Sequence, residues 1–142
     1  MKKILSLAVS SFLTMTTVAP AQDDTAILAM GAYVPTDDIS ASKAFFGTLF
    51  DRAPVIELPD FVAFDIEGGW FAIVSRTKYA PGSIPGTGAV PYLQSGDLET
   101  LQARATKAGA FVPDIIEEAG IRLLKITDPN GQLIEFFALI HQ

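Results

Sequence analysis

The stretch Asp128-Pro129-Asn130-Gly131-Gln132-Leu133-Ile134-Glu135-Phe136-Phe137 sets one carboxylate inside an apolar run that follows four turn-forming residues. An acid in that setting costs free energy unless something pairs with it, hydrates it or uses it. Three kinds of chemistry fit Glu135. It can be satisfied by a nearby cation or by water; it can help hold a small organic ligand; or it can ligate a metal or act as a general base. The rest of the chain narrows the field. Cysteine is absent, which removes thiol nucleophiles, disulfides and cysteine metal sites. The single histidine, His141, stands next to the last residue, so most Ser-His, Cys-His and multi-histidine metal chemistry has no partner. No catalytic residue is identified on this basis.

Glu135 needs elements to position it, and the pattern supplies them in order. Thr25 to Val34 is apolar and reads as a strand. Asp38 can cap a helix over 39–50, where apolar residues at 41, 45, 46, 49 and 50 make one broad face. That spacing assigns Phe45, Phe46 and Phe50 to the packing of helix on sheet. Strands are expected over 55–58, 61–66 and 70–75, followed by a Pro- and Gly-rich connector over 76–89. Then come a strand over 90–94, a helix capped by Asp97 that begins at Leu98 and ends at Gly109, and strands over 115–117, 121–127 and 132–140.

The order repeats. Asp38-Ile39 aligns with Asp97-Leu98 at an offset of 59, and Ala53-Pro54 aligns with Val112-Pro113 at the same offset. Three further residues in the second half bring Gly69 onto Gly131, an offset of 62, which carries Ile73 onto Glu135. A match of caps, helix ends, prolines and turn glycines in one order indicates an internal duplication. The fold class is therefore α+β, with two βαβββ modules at about 25–76 and 89–142 inside one domain over 25–142.

The first 21 residues read differently. Lys2 and Lys3 precede an apolar stretch from Ile4 to Val18, and Ala19-Pro20-Ala21 is a small-residue cleavage pattern. This is the layout of a secretory signal peptide, so a periplasmic or secreted protein is expected, with no membrane association after cleavage. Removing the two lysines leaves 8 basic and 16 acidic residues, a net charge of −8. Such a surface repels phosphate backbones, and nucleic acid is not an expected partner.

The stretch Val34-Pro-Thr-Asp-Asp-Ile-Ser-Ala-Ser-Lys-Ala-Phe-Phe46 resembles the first-helix signature of the vicinal oxygen chelate superfamily. That group holds glyoxalase I, bleomycin-resistance proteins and extradiol dioxygenases. Asp128 to Phe137 resembles its C-terminal hairpin, and the similarity spans roughly residues 25 to 140. The resemblance implies two modules whose sheets curl into a cup, and a homodimer. It also implies that the enzymes of the group hold a divalent metal in the cup through the first and last strand of each module. The matching positions here are Gly31, Ile73, Val90 and Glu135, and only Glu135 carries a ligating side chain. Catalytic zinc needs three protein donors, and non-haem iron needs two His and a carboxylate. No cofactor is therefore expected; the alternative is a lyase or dioxygenase of the glyoxalase type that uses a divalent metal.

Strand alternation then lays out a pocket. If Glu135 faces the cup, Leu133 and Phe137 do too, together with Tyr33 on the first strand, Tyr92 and Gln94 on the fifth, and Phe71, Ile73 and Ser75 on the fourth. Pairing Thr127 with Gln132 would set Leu124 opposite Glu135 and make Arg122 its diagonal neighbour. The ligand-binding set expected is Glu135, Arg122, Tyr33, Tyr92, Gln94, Phe137 and Phe71, around a small organic molecule between aromatic walls.

Overall fold

The computed structural model describes residue 27 and residues 29–140. The segment expected to be a signal peptide, the start of the first expected strand and His141 lie outside the described residues.

Each half is built as strand, helix and three strands. The first holds β1 (Ala32–Thr36), α1 (Ile39–Phe50), β2 (Ile56–Leu58), β3 (Phe61–Ile66) and β4 (Gly69–Ser75). The second holds β5 (Tyr92–Gln94), α3 (Leu98–Lys107), β6 (Ile116–Glu118), β7 (Ile121–Thr127) and β8 (Leu133–Leu139). One turn of helix, α2 (Arg76–Tyr79), opens the connector between them. The strands form two four-stranded sheets in the orders β1-β4-β3-β2 and β5-β8-β7-β6, curled rather than closed. β1 and β5 each run parallel to the last strand of their own module, and all other pairings are antiparallel. Among the described residues no helix is long and apolar enough to cross a membrane.

The helices start where the capping aspartates stand. Asp38 accepts from the Ala41 N–H and Asp97 from the Thr100 N–H, both at 2.9 Å. Phe45, Phe46 and Leu49 of α1 and Leu98, Leu101 and Ala105 of α3 are buried in one core with Val34, Val62, Phe64, Phe71 and Ile73 of the first sheet and Leu124, Ile126, Ile134 and Phe136 of the second. A single core thus serves both modules, and it lies on the helical side of both sheets. Phe71 belongs to it. Its ring stands 4.8 Å from that of Phe46 and 5.1 Å from that of Phe50. Phe71 and Ile73 therefore face the helices, not the cup, and Ala72 and Val74 take the other face with Ala63.

The reason is a difference between two hairpins. β3 and β4 are joined through Glu67 and Gly68, both at positive φ, with Ile66 paired to Gly69. This is a two-residue type I′ turn. β7 and β8 are joined through Pro129, Asn130 and Gly131. There the Gly131 N–H donates to the Asp128 carbonyl and the Asp128 N–H to the Gln132 carbonyl, each at 3.0 Å. Gly131 has φ 81°, so the loop is a type I turn closed by a left-handed bulge residue. The second hairpin holds one residue more than the first. Tyr33 and Tyr92 keep the offset of 59, but the residue that matches Glu135 is Ala72, at an offset of 63, not Ile73.

The connector is more ordered than its composition implies. Arg76 donates to Asp37 at 3.0 Å, to the Pro35 carbonyl at 3.1 Å and to the Ser83 hydroxyl at 3.1 Å, and so ties the chain after α2 back to β1. A second tie joins the modules. The Thr36 hydroxyl donates to Asn130 Oδ1 at 2.9 Å, Asn130 Nδ2 to Ser42 Oγ at 2.9 Å, and the Ser42 hydroxyl to Thr36 Oγ1 at 2.8 Å. The three side chains form a closed ring in which each donates and accepts, across 94 residues of sequence.

Asn130→Ala should remove the donor to the buried Ser42 hydroxyl and one acceptor of Thr36, which keeps the Asp38 carbonyl at 3.1 Å, and cost about 1 kcal/mol, read by urea denaturation. A loss under about 0.5 kcal/mol would show that the ring contributes little. Stability should also depend on pH through α3. The Thr100 N–H holds Asp97 below the usual carboxylate range, and the Arg122 hydrogen bond does the same for Glu99. A lowered folded-state pKa adds stability above the unfolded value of about 4, and that stability is lost as pH falls through the folded value. The melting temperature should therefore drop below about pH 4, and less steeply in Glu99→Gln.

Candidate functional site

β8 is flanked by β5 and β7, so the side chains of the second sheet's concave face come from three adjacent strands. Register pairs Tyr92 and Lys125 with Glu135, and Gln94 and Leu123 with Phe137. The Tyr92 and Phe137 rings stack with centroids 4.3 Å apart and planes 10° from parallel. Glu135 Oε2 lies 3.4 Å from Lys125 Nζ, and the carboxylate side chain is 19% exposed against 48% for the lysine. The acid in the apolar run is thus answered by a cation directly across the hairpin. Apolar residues continue the face outward: Ile116 is paired to Leu123, and both Ile116 and Leu139 are exposed.

Tyr92, Gln94, Glu135 and Phe137 therefore share one face, as alternation along their strands requires. Tyr33 occupies the same relative position on the first sheet, next to Ala72, and is 58% exposed. Two expected members are elsewhere. Phe71 is core. Arg122 pairs with Ala138, on the helical face of the sheet, and is not a neighbour of the Glu135 side chain. It binds Glu99 of α3 and lies 3.5 Å from Glu117 of β6. The bulge at Gly131 accounts for this too. Asp128, not Thr127, pairs with Gln132, so Thr127 pairs with Leu133 and every β7 residue moves by one. A one-residue slip exchanges the faces of a strand.

Lys125 is the residue that sequence reasoning missed. Its signal was the glycine of Asp128-Pro-Asn-Gly131, which marks a left-handed bulge residue and not the fourth position of an ordinary turn. Trp70 is the other. It follows the type I′ turn, lies on the concave side of β4 by alternation with Phe71, and is 50% exposed.

The donor set does not fit a divalent metal. On the concave face Glu135 has a lysine ammonium beside it, and the module-one counterpart of Glu135 is Ala72. The remaining two positions are Gly31 and Val90. Among the described residues no three His, Cys, Asp or Glu side chains come together at ion-holding range.

No family model matches this sequence, and neither does any curated protein sequence. Solved structures do match. A glyoxalase/bleomycin resistance protein from Catenulispora acidiphila is 25% identical, with 80% of this chain and 99% of that one covered at a TM-score of 0.64. Lactoylglutathione lyase from Agrobacterium tumefaciens is 22% identical, covering 82% and 95% at a TM-score of 0.61. A glyoxalase/bleomycin resistance protein/dioxygenase family enzyme from Burkholderia phytofirmans is 18% identical, covering 77% and 96% at a TM-score of 0.66. Taken with the duplicated βαβββ order and the two curled sheets, these matches give the chain the fold of the vicinal oxygen chelate superfamily, the glyoxalase, bleomycin-resistance and dioxygenase group.

Proposed function

We propose that this chain is an exported, metal-independent binding protein for a small organic molecule, and that it works as a homodimer outside the cytoplasm. The observation that carries the reading is the Tyr92–Phe137 stack beside the Lys125–Glu135 pair on the concave face. Flat apolar surface with a few fixed polar groups is the chemistry of an organic-ligand site. A paired carboxylate next to an ammonium suits hydrogen bonding to a polar ligand group. It does not suit proton abstraction, because a general base needs to be unpaired and desolvated.

Metal independence rests on the donor chemistry, since one carboxylate cannot replace three or four ligands. A lyase or dioxygenase that works through a divalent metal lacks its cage here for the same reason. Export rests on the pattern of the first 21 residues. The homodimer draws on the exposed Tyr33, Trp70, Tyr92, Ile116 and Leu139, which a second copy would cover while deepening the cup.

Native mass spectrometry of protein purified from its own periplasm should find a dimer that carries an organic adduct and no stoichiometric metal. Tyr92→Ala should lose the adduct. Protein that retains one nickel, zinc or iron per chain and is stabilised by re-adding it would overturn the proposal. The ion pair gives a separate check. Glu135→Gln and Lys125→Met should each change stability by less than about 1 kcal/mol, as for partly exposed pairs. A loss of several kcal/mol would instead mark a buried charge left without its partner.

A further inference from the structure

The duplication gives each module the same corner, where the first strand turns into the helix, and each corner receives the hairpin tip of the other module. In the first module the corner offers Thr36 and Ser42, and Asn130 closes it with hydrogen bonds. In the second, the residues 59 further on are Ser95 and Leu101. Leucine cannot join a polar ring, and the incoming hairpin presents Ile66 and Glu67 in place of Asn130. The side chains leave a cavity of about 210 Å3 there.

We propose that this cavity is a second ligand site, for a small organic monocarboxylate with an aromatic or short branched body. Its apolar wall is Phe50, Leu93, Leu101 and Phe136, and its polar rim holds Arg52, Arg104 and Ser95. The volume lies below that of sites for drug-sized molecules and suits a single ring with one head group. Arg52 sets the charge preference. Of the eight Lys and Arg side chains among the described residues, only Arg52 and Lys107 have no carboxylate of those residues within 4.0 Å. The Arg52 guanidinium donates to the Asp65 carbonyl through one nitrogen, which leaves further N–H groups for a carboxylate. Arg104 is bound to Asp51 through Nη2 at 2.7 Å and likewise keeps donors free. Glu67 shares the rim without pairing to either arginine, and its negative charge opposes an incoming carboxylate.

The site is distinct from the concave face. Phe136 and Phe137 are adjacent in β8 and point to opposite sides of the sheet, so loss of one site does not entail loss of the other.

Benzoate, titrated into the purified protein, should shift the NMR signals of Leu93, Ser95, Leu101 and Phe136 with a dissociation constant of roughly millimolar order, as a ligand of this size allows. Benzamide, the neutral analogue, should bind about tenfold more weakly or worse. Arg52→Gln, at an exposed position, should weaken benzoate binding about tenfold while leaving the melting temperature unchanged, and Glu67→Gln should tighten it. Equal binding of benzamide, no shift at these four residues, or unchanged benzoate affinity in Arg52→Gln would each overturn the proposal. Shifts confined to Tyr92 and Phe137 would assign benzoate to the concave face and also refute it.

Discussion

One extra residue in one turn governs the second half of this molecule. Gly131 takes a left-handed conformation that lets Asp128 pair with Gln132. The side-chain period of a strand is two, so this residue decides which side of β7 meets which side of β8. It sets Lys125 beside Glu135, turns Arg122 toward α3, and brings Leu124 and Ile126 into the core with Phe136 and Ile134. It also aims Asn130 at Thr36 and Ser42, which couples the hairpin to the other module. Asp128 secures the geometry, because its Oδ1 accepts from the Asn130 and Gln132 N–H groups, both at 2.8 Å.

What could be read from the sequence was local. The capping aspartates located both helices, and alternation within a strand placed Tyr92, Gln94, Glu135 and Phe137 correctly on one face. The duplicated order of caps and prolines disclosed the architecture. What could not be read depended on how strands align with each other. A hairpin loop of two, three or four residues changes the register, and that register decided Arg122, Leu124 and Lys125. The same error, carried through the repeat, put Phe71 and Ile73 on the concave face. Their burial against Phe46 and Phe50 needed only the apolar stripe of α1 to be docked on β4. The α2 turn and the Arg76 tie were hidden because a Pro- and Gly-rich segment gives no period, while the bonds that order it come from distant residues.

The duplication has diverged more in chemistry than in form. The same position on the last strand is Glu135 in one module and Ala72 in the other. The same corner is a closed polar ring in one and an apolar cavity with an arginine rim in the other. A scaffold can thus keep its backbone while the side chains at equivalent positions change from charged to apolar and from closed ring to open cavity. Fold alone does not assign activity, so the binding role proposed here rests on these side chains and not on the scaffold.

The register of β7 against β8 is the claim on which this account stands, and a cysteine-free chain allows it to be read directly. Glu135 donates its N–H to Pro91 on the β5 side, so toward β7 it forms a non-hydrogen-bonded pair with Lys125, the closer of the two antiparallel pair types. The measurement is intramolecular disulfide formation in two double variants, followed by peptide mapping. Lys125→Cys with Glu135→Cys should oxidise readily in the folded protein, and Leu124→Cys with Glu135→Cys should not. The reverse result would mean that the strands pair without the Gly131 bulge, and that Glu135 answers to a different neighbour.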